Sequence, residues 1–341
     1  MKYSIKEITD KKTWNTFIET VLPESYFQSW EWGEVEKASG KTVWRLGIYE
    51  QLRVKNNDQT TNKLIGISQI IKIQAKRGTF LHVRHGPILK DWNETVFRFW
   101  LAYLKQLAEK EHASFIRVSP LINLSYTVFL SAFSFQPAPI HNMDAEIVSV
   151  IDVRKSEEEL LSHMRKNTRS LIRKGLKMGI SVQKSSDTTA FLKLYGETVT
   201  RHDFVPHQAI EDELRIFSSD KKAELLISSY EKIPLAVAIV SYFGNQAIYR
   251  HGASVKTSIP AAYVLQWEIM KRTKRKGLPF YNLFGIADTD RPDHPWWGLT
   301  LFKKGFGGET KQYLHAHDLA ITPAYWINYA VETVRRIKRG Y

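Results

Sequence analysis

Residues 82–89 read HVRHGPIL and residues 248–255 read IYRHGASV, so Arg84-His85-Gly86 returns as Arg250-His251-Gly252, 166 residues later. A tripeptide alone can recur by chance in a basic chain. The pattern downstream of it recurs as well: a helical pattern from Val96 to Lys110 and from Tyr263 to Lys276, then an apolar strand at Phe115 to Val118 and, at the same offset, at Tyr281 to Phe284. This order predicts two α+β domains related by internal duplication, parted near 145/146. A chain of 341 residues is too long for one ordinary core, which agrees.

Outward from the first repeat, Lys11 to Val21 reads as a helix, and a second helix starts near Ser29 with Phe27, Trp30 and Val35 lining one face. Strands come next at Thr42 to Tyr49 and Lys63 to Ile73, around the polar Asn56 to Asn62. Gln136 to Pro139 closes the first half. The second half opens on an alternating strand, Ile147 to Val153, and then Ser156 with Glu157, Glu158 and Glu159 supplies a helix start. One helix is expected from there, with Leu161, Met164, Leu171 and Met178 on one face and Arg165, Lys166, Arg169, Arg173, Lys174 and Lys177 on the remainder. No acid occurs from Leu160 to Ser186, and such unneutralised charge suits a phosphate backbone, held without regard to its sequence. A further helix covers Phe191 to Thr200, with Arg201 to His207 as the loop after it. Strands at Ala223 to Tyr230 and Leu235 to Phe243 lead back to the repeat.

The stretch from Phe280 to Glu309, FYNLFGIADTDRPDHPWWGLTLFKKGFGGE, carries the chemistry-bearing residues. A buried strand ends at Gly285. Next comes a loop with Asp288, Asp290, Pro292, Asp293 and Pro295, then Trp296 and Trp297 and a strand-like apolar run, Gly298 to Phe302. That run delivers Lys303 and Lys304 in front of Gly305-Phe306-Gly307-Gly308. Composition sets limits. Without cysteine there are no disulfides, thiolate metal sites or cysteine nucleophiles, which fits a reducing cytoplasm. A formal charge of +14 suggests a polyanionic partner or an anionic membrane face. There is no signal peptide and no apolar run long enough to span a membrane, so a cytoplasmic protein is expected, peripheral at most to the inner membrane face. His202, Asp203 and His207 lack metal-ligand spacing, and no metal or cofactor is expected; anion contact is the better role for Arg201.

Together QSWEWGE (28–34), MRKNTRSLIRKGLKMGI (164–180) and GIADTDRPDHPWWGLTLFKKGFGGE (285–309) resemble the FemABX aminoacyltransferases, across essentially the whole chain. The resemblance implies enzymes that move an amino acid from aminoacyl-tRNA to the stem-peptide amino group of a peptidoglycan precursor, forming the interpeptide bridge. It implies two GNAT-like (acyltransferase-type) domains. The first would be 1–145 completed by 316–341, the second 146–315, here without the coiled-coil arm of many members, since Glu231 to Pro234 is too short to hold one. A monomer is expected. The family's Phe-Lys pair falls on Phe302 and Lys303, and an ammonium there would stabilise the oxyanion formed when an amine attacks the ester. Arg201 matches a phosphate-binding arginine. In the first domain Glu34 and Glu36 stand where a lysine is usual, with Lys37 next along, so the acceptor can be lipid-linked rather than UDP-MurNAc-peptide. His82 and His85 stand where relatives more often have tyrosine and arginine, and Asp91 lies one residue from a family carboxylate that accepts a proton or orients the amine. Tyr249, beside the second Arg-His-Gly, joins the substrate-binding candidates, and the six basic residues from Arg165 to Lys177 become the tRNA-binding ones.

Two rival functions share these features. An acyl-CoA-dependent N-acyltransferase wants amides cradling pyrophosphate at a helix N-terminus, and its nearest sequence match, Phe302 to Gly307, is poor. A non-catalytic RNA- or membrane-binding module would use the basic helix and the tail. There Trp326, Ile327, Tyr329, Val331, Val334 and Ile337 are expected to pack on the first domain, while Arg335, Arg336, Lys338 and Arg339 face outward. That module leaves the Phe280 to Glu309 stretch unexplained.

Overall fold

The computed structural model describes residues 2–53, 60–202, 206–287 and 291–340. Two compact units result, one of Met1–Glu146, Asp293–Pro295 and Gln312–Tyr341, the other of Ile147–Pro292 and Trp296–Lys311. Asp203, Asp288 and Asp290 lie outside the described residues, as does the His202 side chain.

In the first unit an eight-stranded sheet runs in the order Lys2–Glu7, Val43–Arg53, Thr60–Ala75, Gly78–Arg84, Ala113–Ser119, His317–Ala320, Gln136–Pro137, with Ile88–Leu89 paired to Thr60–Ala75. Gly78–Arg84 and Ala113–Ser119 are its parallel pair, and a parallel pair needs a long crossover. Helix Glu94–Lys110 supplies it. Asn93 caps its first turn by accepting from the Val96 amide, and Val96, Phe97, Trp100, Leu101, Leu104 and Leu107 form the buried face at helical spacing. That face packs on Leu81, Val83, Ile116 and Val118 of the parallel pair.

The second unit repeats the arrangement. Its seven strands run Glu309–Gln312, Ile147–Asp152, Phe280–Gly285, Gln246–Ser254, Ile233–Phe243, Ala223–Tyr230, Ser181–Ser185. Again one pair, Gln246–Ser254 with Phe280–Gly285, is parallel, and helix Ala261–Arg275 crosses between them. Arg84 ends the first parallel strand of one unit and Arg250 lies within that of the other, so the repeated tripeptide marks the same station in both folds. Glu231 and Lys232 make a two-residue hairpin turn, both at positive φ, closing Tyr230 onto Ile233.

Several local expectations are corrected. Ile147–Asp152 is buried at nearly every position rather than alternating, because it lies inside the sheet. The long basic helix is two, Glu157–His163 and Lys166–Lys177, parted where Met164 and Arg165 are extended. Its buried face is Thr168, Ile172 and Gly175, with the Gly175 backbone so close to Val264 that a Cβ would come within 2.4 Å. Arg201 belongs to helix Thr188–His202 rather than to the loop after it. The strand-like run before Lys303 is helix Trp297–Lys304, whose buried positions, Thr300 and Lys303, are both polar, so its helical period is invisible to a search for apolar residues. In the tail, helix Tyr325–Lys338 buries Tyr325 and Asn328 and leaves Trp326, Ile327, Val334 and Ile337 exposed.

Candidate active site

The two parallel pairs differ at their C-terminal ends. In the first unit the pairing continues from Thr79 opposite Ala113 to Arg84 opposite Ser119. In the second it stops after Gln246–Phe280, Ala247–Tyr281 and Ile248–Asn282, and the strands part from Tyr249 onward. A split between the carboxyl ends of parallel strands is where open α/β sheets bind ligands.

Two irregularities aim groups at this split. Tyr249 pairs with Val240 and His251 with Ile239, which leaves Arg250 as the extra residue of a β-bulge. Across from it Phe284 is held at φ 67, with its amide donating to the Asn282 side chain at 2.8 Å, a left-handed conformation that is costly for an aromatic residue. The Arg250 guanidinium lies 4.6 Å from the centre of the Phe284 ring. Its Nε donates to Glu213 at 2.7 Å and its Nη2 at 3.2 Å, and His251 Nε2 contacts the same carboxylate at 2.9 Å. Glu213 is buried on helix Ile210–Ser219. Burial alone would raise its pKa, but Arg250 and His251 outweigh that and hold it well below the ordinary range.

Lys303, in the last turn of Trp297–Lys304, is 5% exposed and donates from Nζ to the Gly285 carbonyl at 2.7 Å. Burial, with the Arg250 charge second, brings its pKa down to about 7. A lysine so placed exchanges a proton at neutral pH and still presents an ammonium when an oxyanion forms beside it. Phe302 meets Tyr263 and Phe306 edge-to-face, Tyr263 and Phe306 are tilted to each other, and through Phe306 the cluster joins the unit's core. Tyr249 is half-buried, with its hydroxyl turned inward over Gly252, where a Cβ would come within 1.7 Å, and the desolvation pushes its phenol up to about 12.

The glycines after Lys304 serve packing. The Gly305 carbonyl accepts from the Arg165 amide at 3.0 Å, and a Cβ on Gly305 would meet Thr168 Oγ1 at 2.6 Å. Gly307, at φ 78, lies against the His163 carbonyl. The structure thus brings the Lys303 segment and the basic segment together, and this contact is where the basic helix breaks. Arg169 is engaged, donating to the Leu161 and Ser162 carbonyls at 3.0 and 3.2 Å. Arg165, Lys166, Arg173, Lys174 and Lys177 are exposed, and among the described residues none has an acidic partner. Arg201 is exposed and donates to the Ser254 carbonyl at 2.8 Å.

The first-unit candidates do not form one cluster. His82 Nε2 lies 2.9 Å from Asp144 Oδ2, which also accepts from Ser119 at 2.7 Å, while Arg84 donates to Oδ1 at 2.6 Å. His85 is buried, with Nε2 2.7 Å from the Asp144 carbonyl. Asp144 is buried too, and Arg84 and His82 override the burial and keep it well below the ordinary carboxylate range. Gln28, from the first family motif, donates to the Arg84 carbonyl at 2.7 Å, so that motif frames this network. Lys37 is half exposed and pairs with Glu34 at 3.2 Å. Asp91 is exposed and accepts from Asn93 at 3.0 Å. Asp144, Glu213 and Arg250 were not singled out by sequence. The available signal was the repeated arginine itself, which in each unit holds a buried acid contributed from elsewhere in the chain.

The FemAB family profile matches residues 9–131, 131–210 and 208–333. The chain belongs to the FemAB family. A lipid II:glycine glycyltransferase of Staphylococcus epidermidis is 21% identical over 377 residues, covering 86% of this chain and 88% of that one. The crystal structure of FemX superposes with a TM-score of 0.78 at 17% identity, over 97% of this chain and 100% of that one. A tandem GNAT protein from the clavulanic acid pathway gives 0.57 at 10% identity, over 94% and 99%. The fold is therefore a pair of GNAT-like domains, and the named FemAB relatives place the chain among acyl-type transferases. Among the described residues there is no group of three or more acidic or histidine side chains suited to a metal ion.

Proposed function

We propose that this FemAB protein transfers an amino acid from aminoacyl-tRNA to the stem-peptide amino group of a lipid-linked peptidoglycan precursor. The observation that carries the reading is Lys303, buried and held near neutrality beside Arg250 at the split of the second sheet. Attack by the acceptor amine forms a C–N bond, turns the ester carbonyl into an oxyanion, and breaks the C–O bond to the ribose. The Lys303 ammonium stabilises the oxyanion and protonates the departing ribose oxygen; the proton lost by the amine restores the ammonium. A fixed cation in a water-poor site lowers such a barrier by several kcal/mol. The exposed cations Arg165, Lys166, Arg173, Lys174 and Lys177 hold the tRNA backbone, next to the segment that carries Lys303. Arg201 adds an anion contact at the end of helix Thr188–His202.

The geometry at Gly305 to Gly308 speaks against the coenzyme A rival. Gly305 to Gly308 lie past the C-terminus of a helix, where the dipole repels a pyrophosphate, and their glycines pack on Thr168, His163 and, for Gly308, Ser149 to Ile151. The lipid-linked acceptor is favoured by the curated relatives, which are lipid II enzymes, and by Lys37 being spent on Glu34. The deciding experiment incubates the protein with lipid-linked or nucleotide-linked precursor and tRNAs each charged with one amino acid, and weighs the products. A gain of one aminoacyl residue on the lipid-linked precursor is expected. No gain from any charged tRNA, or transfer from acetyl-CoA instead, ends this reading.

A further inference from the structure

We propose that the outward face of helix Tyr325–Lys338 seats on an anionic lipid bilayer. Trp326, Ile327, Val334 and Ile337 are 54%, 65%, 51% and 66% exposed. At 100° per residue these positions fall on one stripe about a quarter-turn wide. The opposite face docks the helix by polar contacts: Arg117 reaches Glu332 at 2.8 Å, Arg77 reaches Asn328 at 3.2 Å, and the Tyr325 hydroxyl bonds Gln136 at 2.8 Å. Glu332 is the helix's only acid, and it points inward. Arg335, Lys338 and Arg339 are exposed at the C-terminal end. At the same spacing Lys338 borders the stripe, Arg335 stands about 80° beyond its edge, and Arg339 follows the last turn on the docked side. An apolar stripe with an indole at its start and a cation at its C-terminal edge matches a lipid interface, where apolar side chains enter the acyl boundary and cations meet anionic headgroups. A second copy of the chain fits worse. Two-fold pairing through this face would set its cations against a helix face that has no acid.

The contact is independent of the chemistry at Lys303, so it is measured as binding, without turnover. The full chain is sedimented at low salt with vesicles of phosphatidylcholine alone or with phosphatidylglycerol added. Wild type is expected to bind only the anionic vesicles. Replacing Arg335, Lys338 and Arg339 with Gln should weaken binding by at least about fivefold, the effect of one cation at the headgroups, with Lys338 contributing most. Replacing Ile327, Val334 and Ile337 with Ser should cost at least roughly tenfold at unchanged net charge. All six side chains are exposed, and an unchanged melting temperature verifies that each variant is folded. The proposal is overturned if wild type ignores anionic vesicles, if either variant binds them as well as wild type, or if wild type sediments as a dimer that the Ser variant separates.

Discussion

Replacing Lys303 with Met should make the protein more stable and nearly inactive. The Lys303 ammonium titrates near 7 in the folded chain against an ordinary 10.5, because burial and Arg250 disfavour its charge. Between those values the unfolded chain holds a proton that the folded chain has released, so wild-type stability rises with pH across that window. At pH 7 the difference amounts to about 4 kcal/mol against the fold. Met removes that penalty but leaves the Gly285 carbonyl without its donor, a loss of about 1–3 kcal/mol, so a net gain of about 2 kcal/mol is expected. The gain should shrink as pH climbs from 7 towards 10.5 and be gone above it. Urea unfolding of both proteins at several pH values measures this, alongside turnover, which should fall by roughly a hundredfold or more with acceptor binding nearly intact. A variant less stable than wild type at pH 7, a gain that ignores pH, or unchanged turnover would refute the argument that the lysine is held charge-strained for chemistry.

Neutralising two of Arg173, Lys174 and Lys177 should weaken aminoacyl-tRNA binding and flatten the slope of log affinity against log salt by roughly one to two, with little dependence on tRNA sequence; an unchanged slope returns this helix to an ordinary solvated face. Asp144→Asn should destabilise the first unit by about 3 kcal/mol, because it strips a buried counter-charge from Arg84 and His82. Since the Asp144 pKa is depressed, the wild-type advantage should be complete above the ordinary value of 3.8 and disappear only as pH falls below it towards the folded value; denaturation midpoints within about 0.5 kcal/mol of each other at pH 7 would contradict this.

Much of the fold is local and was legible in residue order. The strand, helix, strand succession after each Arg-His-Gly tripeptide, the caps at Ser29 and Ser156, and the hairpin at Glu231-Lys232 depend on periodicity and turn chemistry that a neighbour a few residues away supplies. The duplication is legible for the same reason: the same order at the same offset specifies the same crossover in both units. Lys303 could be singled out from its motif, although its burial could not.

Contacts between distant segments decided the rest. Sequence holds no sign that the parallel pair stays closed up to Arg84–Ser119 in one unit and opens after Ile248–Asn282 in the other, because hydrogen-bond partners belong to pairs of strands and not to either strand alone. The acids that hold Arg84 and Arg250 come from Asp144 and Glu213, residues with no neighbouring pattern to betray them. The basic helix breaks at Met164-Arg165, where the Arg165 amide donates to the distant Gly305 carbonyl, and Trp297–Lys304 hides its helical period behind a buried threonine and a buried lysine. The tail's amphipathic pattern was plain, yet which face meets the body was not. Periodicity gives a helix two faces, and only the partners Arg117, Arg77 and Gln136 determine that the polar one turns inward and the apolar one is left to the outside.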